Sequence, residues 1–261
     1  MRPEAPLRWA LIVAVLLLAA CGGAPQRSES ASGKTLSARQ TAAETNVRLG
    51  QGYLEQDRLE MALDKLTKAI ELDPRSTSAH TVIAVIYERI NDRESARVHY
   101  KRAVELSPRS GDVLNNYAAF LCMEGDYEQA DALFQRALGD PFYKTPAVAH
   151  ANRGSCALSA GRLDAADESL RQAVQIAPDM PDALYAMART SLLRGDLLRA
   201  RAFVQRYEAT GRAGADGLGL GHEVETKLGN VRAANDYRQR LLAQFPDSQA
   251  ARRLEGDGAP R

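Results

Sequence analysis

The side chains able to do chemistry are few: three cysteines, Cys21, Cys122 and Cys156, and four histidines, His80, His99, His150 and His222. A helical zinc site needs two histidines at i and i+4, and ribbon-type sites use Cys-x-x-Cys; neither spacing occurs here. The histidines are therefore expected to pack or to face water. Gly217-Leu218-Gly219-Leu220-Gly221 is glycine-rich enough to cradle a phosphate. It follows no strand, however, and its spacing is neither G-x-G-x-x-G nor that of a P-loop, so it reads as a loop. No catalytic residue, metal site or cofactor site is assigned.

Composition leads the same way. The 261 residues carry 34 Lys and Arg against 33 Asp and Glu, a net charge of +1. Such a chain has no basic field to hold nucleic acid. Its 45% hydrophobic residues suffice for a sizeable core, while 6% aromatics with 19 Gly and 11 Pro argue for regularly interrupted helices over an all-β fold. Neither an enzyme nor a small-molecule substrate is indicated.

Cys21 belongs with what precedes it. Arg2 and Arg8 flank the start of an apolar run over residues 9–20. That run is too short to span a bilayer core, which takes about 20 helical residues, and it has the layout of a signal peptide. Leu18-Ala19-Ala20-Cys21 resembles the lipobox of bacterial lipoproteins. The resemblance implies cleavage before Cys21 and acylation of its sulfur and amine. Gly22 lacks the acidic inner-membrane retention signal, so it implies the periplasmic face of the outer membrane. Residues 1–20 are then a signal peptide, and residues 21–40, rich in Gly, Ser, Ala and Gln, a lipidated disordered tether.

The rest of the chain has a period. Ala62, Ala96, Ala130, Ala166, Ala200 and Ala234 are separated by 34, 34, 36, 34 and 34 residues. Twelve residues before each stand Gly50, Ala84, Ala118, Gly154, Ala188 and then His222. Four after each stand Leu66, Tyr100, Phe134, Leu170 and Val204, with Arg238 breaking the row. Five before each stand Asp57, Asn91, Gly125, Gly161, Gly195 and Gly229, all residue types that tolerate a left-handed backbone at the close of a helix. Twelve after come Pro74, Pro108, Pro178 and Pro246, with Pro141 one residue early, and each stops the second helix before it. This pattern resembles the tetratricopeptide repeat (TPR), a helix–turn–helix unit of 34 residues. It implies an all-α fold, a right-handed TPR superhelix of about six repeats over residues 41–249, with the last repeat degenerate and residues 250–261 a disordered tail. Residues 210–221 are expected to lengthen a loop before the last helix pair.

Three inferences follow from the repeat. Cys122 and Cys156 fall late in the first helices of repeats three and four, and in an oxidising periplasm they are candidates for a disulfide. The alternative is a pair of buried thiols. The two extra residues lie in Asp140-Pro141-Phe142-Tyr143-Lys144-Thr145-Pro146, an extended connection stiffened by two prolines. First helices line the concave, partner-binding face of such arrays. By position this face takes Val47, Gln51 and Leu54, then Thr81, Val85 and Glu88, then Asn115 and Ala119, then Ala151 and Ser155, then Tyr185, Arg189 and Leu192. Val47 and Leu54 have no preceding repeat to cover them, unless a helix over residues 36–45 does so.

Beyond the generic repeat, Asn115-Asn116-Tyr117-Ala118-Ala119-Phe120-Leu121-Cys122, the Asp140–Pro146 segment and Gly154-Ser155-Cys156-Ala157 resemble the PilF/PilW family of type IV pilus biogenesis lipoproteins. The resemblance covers residues 41–249. It implies a pilotin: an outer-membrane lipoprotein that binds the pilus secretin subunit and promotes its localisation and multimerisation, with no bond chemistry. The competing expectation is another periplasmic TPR adaptor, serving cell-wall hydrolases or outer-membrane barrel assembly.

Overall fold

The computed structural model describes residues 31–256. The expected signal segment and Cys21 lie outside the described residues. Thirteen helices and no strand occur among the described residues. They run as antiparallel pairs: α1 (Ala31–Glu55) with α2 (Leu59–Leu72), α3 (Thr77–Arg89) with α4 (Arg93–Leu106), α5 (Gly111–Met123) with α6 (Tyr127–Leu138), α7 (Pro146–Ser159) with α8 (Leu163–Ile176), α9 (Pro181–Leu193) with α10 (Leu197–Ala209), and α11 (Ala215–Lys227) with α12 (Val231–Gln244). A last helix, α13 (Gln249–Gly256), packs on α11 and α12. Each hairpin touches the next one along, so the array is a TPR solenoid.

Local chemistry explains the hairpins. All six residues five before the ladder alanines have left-handed backbones, with φ from 57° at Asp57 to 81° at Gly125. Asp92, Asp126 and Asn230 accept from the backbone amides of Ser95, Gln129 and Ala233, satisfying orphan donors at the starts of α4, α6 and α12. The ladder alanines are buried in every repeat, which lets paired helices approach closely. At Gly50 and Gly154 an added Cβ would sit 2.6 and 2.5 Å from Cγ of Leu66 and Leu170, sixteen residues on.

The sixth repeat keeps this device but moves it. His222 and Arg238 hold the expected positions, yet the close pair is Gly221 against Tyr237, each one residue earlier and again sixteen apart. Ala234 and Leu241 stay buried and Gly229 keeps its left-handed turn, so the hairpin is complete and the core contact alone has shifted. His222, displaced from the contact, donates Nδ1–H to the Ala234 carbonyl at 2.9 Å.

Three boundaries differ from expectation. Residues 31–40 are helical rather than a disordered tether, and residues 36–45 continue α1 instead of forming a separate cap. Ala43, Val47 and Gly50 at i, i+4 and i+7 give α1 one face for α2, and Arg39 Nη2 donates to the Glu71 carbonyl at the end of α2. The polar composition of this stretch hid that spacing. Residues 250–256 are likewise helical, because Ala250 and Ala251 bury themselves on the last hairpin. The glycine run belongs to α11, not to a loop. Gly217 lies against Tyr207, Gly219 against Ala250 and Gly221 against Tyr237, so its glycines serve close packing.

Candidate partner-binding surface

The middle of the solenoid is its most heavily tied joint. Cys122 on α5 and Cys156 on α7 stand in disulfide geometry, with Cα atoms 5.7 Å apart. Asn152 Nδ2 donates to Asn115 Oδ1 at 3.1 Å between the same two helices. Arg153 Nε meets Asp131 Oδ1 at 2.7 Å, joining α7 to α6. Burial pushes the Asp131 carboxyl up, but the Arg153 hydrogen bond and charge, with Gln135 and Arg162, together hold it below its ordinary pKa. The two-residue insertion closes the joint. Asp140 accepts from the amides of Gly111 at 2.8 Å and Phe142 at 2.9 Å, and Tyr143 is buried against Gly111, where a Cβ would lie 2.5 Å from its Cγ. Phe142 between them is 86% exposed.

The residues expected to line the partner face divide into three groups. Val47, Asn115 and Leu192 are 6%, 5% and 8% exposed, and Ala151 is buried as well. These four are corrected to structural roles. Val47 packs with Leu66 and Ile83, Asn115 serves the α5–α7 bond, and Leu192 lies in the core of the last repeats. Position in the repeat identified the side of the helix, but neighbouring helices cover part of that side. Leu54, Val85, Glu88 and Tyr185 are half-buried, as are Thr81, Ala119 and Ser155; Gln51 and Arg189 are exposed. Glu88 accepts from the Tyr100 hydroxyl at 2.9 Å, and burial pushes its carboxyl up despite that bond.

Tyr185 and Arg189 open onto a cleft of about 910 Å³ between α9, α11 and α13. The Tyr185 ring leans on Tyr207, with centroids 5.5 Å apart, and the Arg189 guanidinium lies 6.0 Å over its face. Gly219 and Leu220 of α11, Arg238 of α12 and Arg253 of α13 also line it. The cleft was not legible in the sequence, because α13 builds one wall. Among the described residues, no group of three or more His, Cys, Asp or Glu is arranged to hold a metal ion.

Against known proteins, the tetratricopeptide-repeat family matches residues 47–111 and 124–181, with further matches at 99–132 and 157–218. Type IV pilus assembly protein PilF of Pseudomonas aeruginosa is 27% identical over 215 residues, 82% of this chain and 85% of that protein. The crystal structure of PilW, described as a widely conserved type IV pilus biogenesis factor, superposes with a TM-score of 0.78 at 30% identity, covering 82% of this chain and 98% of that one. This chain belongs to the PilF/PilW family. The solved structure of P. aeruginosa PilF agrees, with a TM-score of 0.75 at 26% identity over 84% of this chain and 99% of that one.

The segments that carry the PilF/PilW resemblance converge on the central joint. Asn115, Cys122, Asp140, Tyr143 and Cys156 all tie repeat three to repeat four or to the insertion. In the core beside it Tyr117 stacks on Tyr100 and Phe120 meets the same ring at a tilt. These signature positions are therefore architectural, and of the insertion's two aromatic rings Phe142 faces outward. One constellation escaped the sequence reading. His80 on α3 and His99 on α4 meet through their Nδ1 atoms at 3.0 Å, nineteen residues apart and outside any repeat period. His80 Nε2 lies 3.3 Å from the Pro74 carbonyl, which can only accept. Neutral His80 thus carries its proton on Nε2 and accepts at Nδ1 from His99. Burial holds both imidazoles below their ordinary pKa, as it does that of His150.

Proposed function

We propose that this protein is a lipid-anchored, non-enzymatic scaffold for type IV pilus biogenesis that binds the pilus secretin subunit and promotes its outer-membrane localisation and multimerisation. The observation that carries this reading is the likeness to PilW and PilF over four-fifths of this chain and nearly all of those structures. The lipobox-like Leu18-Ala19-Ala20-Cys21 supports the anchor. Mechanistically, acyl chains on Cys21 would confine the solenoid to the membrane surface, and its inner face would hold a secretin subunit there. Confinement raises the effective concentration of bound subunits for each other without any new contact. The test is deletion of the gene, followed by gel analysis of heat-resistant secretin multimers and a twitching assay. Loss of both is expected; unchanged multimers with normal motility overturn the reading.

A further inference from the structure

We propose that the cleft between α9, α11 and α13 is a docking site for an acidic, extended segment of a partner protein. The argument starts from charge. Elsewhere in the solenoid, joint arginines are paired with carboxylates (Arg97 with Glu124, Arg153 with Asp131, Arg199 with Asp167, Arg201 with Glu225 and Arg240 with Glu208) or bonded to carbonyls, as Arg136, Arg162 and Arg206 are. In the cleft neither kind of partner is present. Arg189, Lys227, Arg238 and Arg253 line it, and none is ion-paired or hydrogen-bonded to another described residue. Asp216 and Glu223 share the cleft without pairing to these cations, which leaves an excess of two positive charges on its walls. Unpaired like charges converging on a concavity raise its potential and select ligands of opposite sign.

The walls also supply a non-polar contact. The half-buried Tyr185 ring is held by Tyr207 with Arg189 over its face, and the charges of Arg189, Asp216 and Arg253 all reach its hydroxyl. A fixed aromatic flanked by two guanidiniums is the residue set that dominates protein interfaces. Carboxylates of a segment lying across Tyr185 would meet Arg189 and Arg253, while the partly buried Leu254 receives an apolar side chain. A cleft of about 910 Å³, open along one side, suits a length of chain rather than a single small ion. This site does not rest on the secretin assignment, since any protein presenting such a segment would fit.

The experiment titrates the full-length protein in detergent with a fluorescein-labelled peptide of alternating Glu and Leu, and with its Lys–Leu counterpart. The Glu–Leu peptide is expected to bind and the Lys–Leu peptide not to. Arg189→Glu with Arg253→Glu should weaken binding about tenfold or more, since removing cations from a complementary cleft reverses its attraction. Arg109→Glu, an exposed arginine on the turn before α5, should leave it unchanged, and circular dichroism checks that the variants fold. Equal binding of both peptides, no binding, or full binding by the double variant overturns the proposal. Binding that emerges only when residues 257–261 are deleted assigns the cleft to the chain's own end and also overturns it. Because the readout is peptide binding in vitro, its failure leaves the cellular multimer assay to decide the secretin reading separately.

Discussion

At Gly154 an added Cβ would sit 2.5 Å from Leu170 Cγ, whereas at Gly52 it would meet nothing within 4 Å. Both residues are helical, so adding a side chain should act in opposite directions at the two. Gly154→Val is expected to cost about 2–3 kcal/mol by overpacking the α7–α8 contact. Gly52→Ala should add roughly 0.5–1 kcal/mol by stiffening α1. Urea denaturation of the two variants checks both signs. The buried histidines make a second residue-level prediction. Their folded pKa values are depressed, so the unfolded chain binds protons first as pH falls below about 6.5, the ordinary histidine value, and stability is lost on the acid side. Arg102 adds to the depression at His80, and His80 itself to that at His99. The urea midpoint should drop between pH 7 and pH 5, and His80→Leu with His99→Leu should flatten that slope. At this scale the turn residues were readable, because a left-handed backbone restricts residue type wherever it occurs. The His80–His99 bond was not, since it depends on side chains meeting across a hairpin. The glycines of α11 misled for the same reason: turn closure and close packing both call for a missing Cβ, and only the neighbours distinguish them.

Among elements, the joint between α5 and α7 and the terminal α13 carry the sharpest consequences. The pair Cys122–Cys156 closes a loop of 34 residues. On chain-entropy grounds, Cys122→Ser with Cys156→Ser should lower stability by ~3–4 kcal/mol. Thermal melts with and without reductant test this, and non-reducing mass spectrometry of protein from the cell envelope should find no free thiol at either position. Helix α13 closes the array by burying Ala250 and Ala251 on the last hairpin while Arg252 and Arg253 face outward. Terminal repeats need such a polar cap. Truncation after Ser248 should speed hydrogen exchange in α11 and α12 and leave α1–α8 unchanged. The ladder of alanines revealed the paired helices, because small residues are obligatory where helices cross closely. It did not reveal which inner-face positions the next hairpin covers, which is why Val47, Asn115 and Leu192 proved structural.

For the molecule as a whole, the period alone was enough to read the TPR solenoid, since each unit repeats one packing problem. Its ends were harder, because α1 and α13 solve that problem with polar, alanine-rich stretches of low hydrophobicity. The anchoring prediction belongs here. Cys21→Ser should leave the circular dichroism spectrum unaltered but shift the protein out of the outer-membrane fraction, and a variant that still fractionates with that membrane refutes lipid anchoring at this residue. The described helices contact their immediate neighbours and the next but one, never the far end of the array. Such a chain needs no distant partner before it can begin to order itself. It can therefore condense hairpin by hairpin as it is synthesised, N-terminal hairpins first, with α13 settling on α11 and α12 after them.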